Sequence, residues 1–489
     1  MSFEDCEFAL LNQAIHLAEE QQKKETITDE VITIIEILKQ FLIKKKLVCY
    51  GGIAINNILP KNVQFYDDNE IPDFDFYSKD ALTDVKELAD IYYKKGFLEV
   101  EAKTGVHYGT FKLYVNYIPI ADITQLNAVI FDELFKESII VDKIHYSSPN
   151  FLRMGMFLEL SRPRGDISRW EKVFSRLLLL NEYYPLKTNK QCLSNGIHFA
   201  NDDENINENI FNVIFDFLVK HDVVFLGGYA FHLYTEMDEN ENENETEKFT
   251  ALDVLTDDIE AMSKGVVELF PENSVFVRKN DSIEELIPET IEIVSKLDNK
   301  ILVTLYKPIA CHSYNEVKLK NHKIKIASID TILSFYLAFL YVKGEKYEKE
   351  KFICMAAILF DIEQKNHNSK NGIFKRFSID CYGTQKTLTD IRLEKGEKYK
   401  EFNNSKKVDK KEYDSWFLRY RPGDKKTEKK VINHNSKHKS MKKKESNPRE
   451  KRETNKTKKY TKRIRKTETA SIWLNRLRKH NAKKSENLF

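Results

Sequence analysis

The chain has 489 residues, of which 41% are hydrophobic, 12% aromatic and 31% charged, a mixture that excludes wholesale disorder and allows two or three cored domains. Its formal charge of +2 hides an asymmetry: residues 421–489 hold 25 Lys and Arg against 7 Asp and Glu, leaving 53 basic against 69 acidic residues elsewhere. The longest apolar run, 332–342, falls well short of the ~20 residues that span a bilayer, and Met1-Ser2-Phe3-Glu4-Asp5 lacks a basic start and an apolar stretch, so neither a membrane role nor a secretory leader is expected.

Two helical patterns open the chain, over 3–20 and then through Val31, Ile34, Ile35, Leu38, Phe41 and Leu42, the second behind Thr28 with Asp29 and Glu30 in its first turn. Both are expected to pack against the first domain. Leu47-Val48-Cys49-Tyr50 reads as a strand running into Gly51-Gly52 and then a helix. A glycine pair at such a junction lets backbone N–H groups approach a phosphate closely, which makes Gly51 and Gly52 candidate nucleotide-binding residues.

Next comes Pro72-Asp73-Phe74-Asp75-Phe76, with two carboxylates two residues apart in an alternating apolar context. On a strand, such residues share a face. Carboxylates that close raise each other's pKa unless a cation lies between them, and oxygen-only ligands point to magnesium or manganese. Asp122, after the strand-like Ile118-Pro119-Ile120-Ala121, is placed to complete a three-carboxylate site from a neighbouring strand. Asp73, Asp75 and Asp122 are therefore the expected catalytic residues, holding two metal ions that would serve phosphoryl transfer. Asn56, Ser78 and Lys112 are candidate nucleotide contacts, although a helix-start Asn, a strand-end Ser and a surface-strand Lys are common structural residues. His107, beside Gly109, could contact a nucleotide, although a structural role is the commoner case. Arg162, Arg164 and Arg169, in a loop between helical patterns, form a candidate RNA or phosphate clamp.

The chain repeats itself. Cys49-Tyr50-Gly51-Gly52-Ile53-Ala54 recurs as Phe225-Leu226-Gly227-Gly228-Tyr229-Ala230, and Tyr117-Ile118-Pro119-Ile120-Ala121-Asp122 as Tyr306-Lys307-Pro308-Ile309-Ala310-Cys311. Thr250-Ala251-Leu252-Asp253 then aligns with the Asp73 and Asp75 segment. This puts Ala251 opposite Asp73, Asp253 opposite Asp75 and Cys311 opposite Asp122. Two of three carboxylates are thus expected to be lost in the second copy, as befits a scaffold or RNA-binding domain without catalysis.

These patterns predict an α+β protein built of two tandem domains with mixed or antiparallel sheets. The expected segments are an N-terminal helical part at 1–45, a catalytic domain at 46–200, a degenerate copy at 205–365, a C-terminal extension at 366–420 and a basic tail at 421–489. The tail has too few large apolar residues to offset its ordering entropy and is expected to be disordered. The six cysteines, Cys6, Cys49, Cys192, Cys311, Cys354 and Cys381, lack the spacing of a zinc site or a secreted framework and read as reduced thiols of a cytosolic protein.

The order Gly-Gly, then h-Asp-h-Asp-h, then h-Asp-h resembles the DNA polymerase beta-like nucleotidyltransferase superfamily. The fuller strings Tyr50-Gly51-Gly52-Ile53-Ala54-Ile55-Asn56, Ile71-Pro72-Asp73-Phe74-Asp75-Phe76-Tyr77-Ser78, Gly105-Val106-His107-Tyr108-Gly109-Thr110 and Ser161-Arg162-Pro163-Arg164-Gly165-Asp166 are similar to the poly(A) polymerase catalytic subunits of giant and other large cytoplasmic DNA viruses. The segment Arg169-Trp170-Glu171-Lys172-Val173, followed by Arg176-Leu177, is similar to them too. The resemblance implies ATP as donor, an RNA 3′ end as acceptor, magnesium or manganese, work in a cytoplasmic viral factory, and self-association in some members. The alternatives are a nucleotidyltransferase of other specificity and a non-catalytic RNA-binding or processivity subunit.

Overall fold

Thr28 starts the first packed helix, Asp29–Lys45, by accepting a hydrogen bond from the Val31 N–H. Asp29 and Glu30 lie in its first turn and Lys44 and Lys45 in its last, each complementing the helix dipole. Val31, Ile34, Leu38, Phe41 and Leu42 form its buried stripe, as their spacing predicts. The preceding apolar residues differ from expectation: Phe8, Leu10, Leu11, Ile15 and Leu17 are exposed and do not pack against the first domain. The computed structural model describes residues 6–11, 13–15, 17–18, 28–66, 73–186, 192, 207–239, 251–284, 286–319, 322–342, 348–370, 372–405 and 408–424. Pro72 and the expected tail beyond Asp424 lie outside them.

The first lobe runs β1 (Val48–Cys49), helix Gly51–Ile58, β2 (Phe74–Ser78), helix Ala81–Lys94, β3 (Val100–Thr104), β4 (Thr110–Val115), β5 (Ile118–Gln125), helix Ala128–Glu137, β6 (Ile139–Val141), β7 (Ile144–Tyr146) and helix Pro149–Leu160. Helix Trp170–Tyr183 follows. Both two-residue hairpin turns, Asn116-Tyr117 and Asp142-Lys143, place two successive residues at positive φ. That geometry matches the twist of the strands they join.

Among the described residues, the second lobe repeats this order without a counterpart of helix Ala128–Glu137. Helix Glu208–Val219 leads to β8 (Val224–Leu226), helix Gly227–Glu239, β9 (Leu252–Leu255), helix Ile259–Val267, β10 (Val275–Asn280), β11 (Thr290–Ser295) and β12 (Ile301–Tyr306). Then come β13 (His312–Leu319), β14 (His322–Ala327) and helices Ile329–Phe339 and Lys349–Lys365. The C-terminal extension adds β15 (Cys381–Tyr382), helices Leu388–Asn404 and Lys410–Phe417, and β16 (Arg419–Tyr420).

Two mixed sheets result, ordered β16-β3-β4-β5-β2-β1-β7-β6 and β10-β11-β12-β9-β8-β14-β13-β15. Without the added strands β16 and β15, the two orders are the same. So are the senses: β1 is antiparallel to β2 and parallel to β7, as β8 is to β9 and β14. The repetition read from short strings is therefore a repetition of topology.

The register corrects one alignment. Asp75 pairs with Asp122 across parallel β2 and β5, whereas Asp253 pairs with Thr304 across parallel β9 and β12. Thr304, not Cys311, is the counterpart of Asp122. The Pro-Ile-Ala strings misled because β12 ends at Tyr306, before Pro308. In the first lobe Pro119, which has no N–H to donate, is accommodated inside β5 beside a register shift.

The lobes meet through equivalent helices. Phe151 of the first packs edge-on to Tyr341 at 4.9 Å, the Ser148 and Tyr341 hydroxyls lie 2.7 Å apart, and the Ser313 N–H donates to the Ser161 carbonyl. Lys349 bridges to Glu133 and Glu137 at 3.2 and 3.0 Å. The cysteines are a second correction: Cys192 is disulfide-bonded to Cys354 and Cys311 to Cys381, leaving Cys6 and Cys49 free. The partners are 162 and 70 residues apart in sequence, so only tertiary proximity brings them together.

Candidate active site

The turn from β1 into helix Gly51–Ile58 determines where the first carboxylate sits. Gly51 has φ +68°, and a Cβ there would lie 2.8 Å from Asp75 Oδ2, so only glycine lets the helix start this close to the acid. The Tyr50 N–H donates to the Asp75 carbonyl at 2.9 Å, fixing the turn to β2. Tyr50 also stacks on Tyr77 at 3.9 Å and shares a 2.9 Å hydroxyl contact with Thr124.

Strand β2 alternates in burial, with Phe74, Phe76 and Ser78 on the buried face. Asp73, Asp75 and Tyr77 therefore take the opposite face, and Asp122 stands beside Asp75 in register. Asp122 accepts a 2.5 Å hydrogen bond from Lys112, its cross-strand partner on β4. Burial first, then the charges of Asp122 and Asp73, push Asp75 up to about 7, against the pull of Lys112 and Arg169. Burial works against the Lys112 charge, but Asp122 outweighs it and raises the ammonium above its usual pKa.

Among the described residues, no group of three or more His, Cys, Asp or Glu is arranged to hold a metal ion. Asp122 is turned onto Lys112, and Asp73 is exposed at the start of β2. The donor set nonetheless fits a divalent cation. Two carboxylates are in register, a third lies two residues away on the same face, and burial followed by the charges of its two neighbours raises Asp75.

Other residues singled out in the sequence are distributed differently. Asn56 is buried, and its carbonyl accepts from the Phe65 and Tyr66 N–H groups at 2.8 and 2.9 Å, so it holds the loop and does not face the carboxylates. Ser78 lies on the buried face of β2, opposite the carboxylates, and donates to Asp84 at 2.6 Å. Of the three arginines, Arg162 and Arg169 both act on the Glu159 carboxyl, as does Arg176. Arg169 bridges to Glu159 at 3.1 Å and its charge is felt at Asp75; Arg164 is exposed; Arg162 lies near the buried His312 of the second lobe. His107 is exposed.

Arg176 and Tyr66 are residues the sequence reading did not single out as functional. Side-chain atoms of both fill the space where a Cβ on Gly52 would sit. The Arg176 guanidinium lies 4.7 Å from the Phe65 ring centroid and donates to the Tyr66 hydroxyl at 3.2 Å. Only the Arg176-Leu177 pair inside the family-like segment pointed this way, because Tyr66 reaches Gly52 from a loop with no periodicity.

A glycine-initiated helix thus lies against paired carboxylates on parallel strands within this sheet order. Residues 36–166 match the family model described as the poly(A) polymerase catalytic subunit. Over 172 residues the chain is 34% identical to the putative poly(A) polymerase catalytic subunit of African swine fever virus (isolate Pig/Kenya/KEN-50/1950), which takes in 34% of this chain and 36% of that protein. It is 31% identical over 159 residues to the putative poly(A) polymerase catalytic subunit of Acanthamoeba polyphaga mimivirus, covering 32% and 27%. The matched stretch thus spans about a third of the curated relatives' length. The crystal structure of the Megavirus polyadenylate synthase has the same fold, with a TM-score of 0.72 at 19% identity over 89% of each chain.

Proposed function

We propose that this chain is a polynucleotide adenylyltransferase that adds AMP from ATP to RNA 3′ ends. The observation that carries the reading is the register of Asp75 with Asp122 beside the Gly51-Gly52 turn, within the segment that matches the poly(A) polymerase family. The relatives' printed names and the shared fold support it.

In this reading Asp73, Asp75 and Asp122 hold two divalent cations, magnesium or manganese. When bound, such ions lower the pKa of the attacking hydroxyl and stabilise charge on the transferring phosphoryl group. The RNA 3′ oxygen bonds to the α-phosphorus of ATP as the bond to pyrophosphate breaks, and the hydroxyl proton leaves to solvent. The N–H groups at Gly51 and Gly52 face the triphosphate, and Arg176 beside Gly52 adds a guanidinium suited to phosphate oxygens. Lys112, bonded to Asp122, is the cation beside the carboxylates and would be available to a phosphate where Asp122 turned to a metal ion. Arg169 tempers the charge around Asp75.

The second lobe is the non-catalytic copy. It keeps Asp253 behind Gly227 but has Ala251 and Thr304 where the first lobe has Asp73 and Asp122. Work in a cytoplasmic viral factory and self-association complete the proposal; fractionation of infected cells and sedimentation velocity test them. The activity is tested by extending a short unstructured RNA with each ribonucleotide separately. ATP alone is expected to be added in long runs by the parent and by none of the Asp73→Ala plus Asp75→Ala preparations. Equal use of another nucleotide would replace the adenylate reading.

A further inference from the structure

The pairings that align Asp75 with Asp122 continue across the sheet. Asp122 pairs with Lys112, Lys112 with Lys103, and Lys103 with Arg419 of β16. One cross-strand row therefore reads Asp75, Asp122, Lys112, Lys103, Arg419, with two acids followed by three bases. Side chains at paired positions share a face. Here it is the face away from helix Ala81–Lys94, because Ala102, Leu113 and Ala121 are buried on the other side and Tyr420 reaches across to Asp90 of that helix. At ~4.8 Å per strand, the row runs roughly 14 Å from Asp122 to Arg419.

The three cations are not equally satisfied. Lys112 is held by Asp122. Among the described residues Lys103 has no carboxylate partner; its ammonium lies 4.0 Å from the Tyr114 ring centroid on the same face. Arg419 is 75% exposed and shares Glu101 with Arg421, at 2.8 and 3.3 Å. Such an exposed pair is weak and yields readily to a phosphate. A row of like charges across neighbouring strands is unfavourable for the folded chain alone, and a polyanion laid along it reverses that cost.

We propose that Lys112, Lys103 and Arg419 form a phosphate track that carries the acceptor RNA's backbone from the carboxylates to the edge of the first sheet, with Tyr114 beneath Lys103. The track rests on the adenylyltransferase reading, since that reading places the RNA 3′ end at Asp75 and Asp122.

The test is binding of a labelled oligoribonucleotide to the full chain, without ATP, over a range of salt, for the parent, Lys103→Gln, Arg419→Gln and both together. Each lost phosphate contact flattens the slope of log K against log salt by about 0.7 for single strands, so the double variant is expected to lose about 1.4. In extension assays the KM for RNA rises while that for ATP holds. Glu101→Gln, which frees both arginines, is expected to bind RNA more tightly. An unchanged slope in the double variant overturns the track, as does a rise in the ATP KM with the RNA slope intact. If the parent binds RNA but adds no adenylate, the activity reading fails, while a flattened slope in the double variant still assigns Lys103 and Arg419 to the RNA backbone.

Discussion

Asp253 sets a carboxylate oxygen directly against the place where a side chain on Gly227 would begin. The same relationship holds between Asp75 and Gly51 in the first lobe, and both glycines have positive φ, +63° and +68°. The glycine-acid contact thus belongs to the fold, and the neighbours of the acid distinguish the lobes.

Replacing either glycine by alanine forces a Cβ against a carboxylate in a left-handed conformation, at a cost of about 1–2 kcal/mol for the backbone alone. Gly227→Ala is expected to lower stability in urea titration with little effect on turnover per folded molecule. Gly51→Ala should lower both.

Arg176→Ala is expected to raise the ATP KM several-fold while leaving RNA binding without ATP unchanged, because the guanidinium lies beside Gly52 and away from the row ending at Arg419. Steady-state kinetics with varied ATP reads this. A rise confined to the RNA KM would move Arg176 to the acceptor side.

The raised pKa of Asp75 has a definite sign. Its folded-state value of about 7 exceeds the ordinary 3.8, so the folded chain binds the proton more tightly than the unfolded chain. This contribution is fully present below pH 3.8 and is lost as pH rises to about 7. Magnesium competes with that proton. Thermal melts should therefore show a magnesium-induced rise in Tm that grows from pH 6 to pH 8 in the parent and stays flat in Asp75→Asn.

Cys381→Ser removes a crosslink that closes a 70-residue loop, for which chain-entropy reasoning gives about 4 kcal/mol and less where strain intervenes. A fall in the denaturation midpoint under non-reducing conditions, abolished when both proteins are reduced, is the expected result.

Much of the first lobe was legible because its signals are local. Alternation around Asp73 and Asp75 fixes their common face, and a short apolar run into Gly51-Gly52 marks a strand-to-helix turn. The counterpart of Asp122 was misread because matching strings report composition, whereas the partner of Asp253 is set by hydrogen-bond register, which selects Thr304. Asn56 and Ser78 have the right chemistry for a nucleotide, but only burial shows that their oxygens already serve the backbone of 65–66 and Asp84. The disulfides and the row from Asp75 to Arg419 join residues tens to hundreds apart, beyond the reach of any local pattern.

The most direct measurement is single-turnover adenylate addition to an RNA 3′ end by the parent, Asp75→Asn, Asp122→Asn and Asp253→Asn under saturating magnesium and ATP. The account predicts that Asp75→Asn and Asp122→Asn each lose at least a hundredfold in rate, while Asp253→Asn extends RNA at the parent's rate. Undiminished addition by Asp75→Asn or Asp122→Asn, or loss of addition in Asp253→Asn with the fold intact, would contradict it.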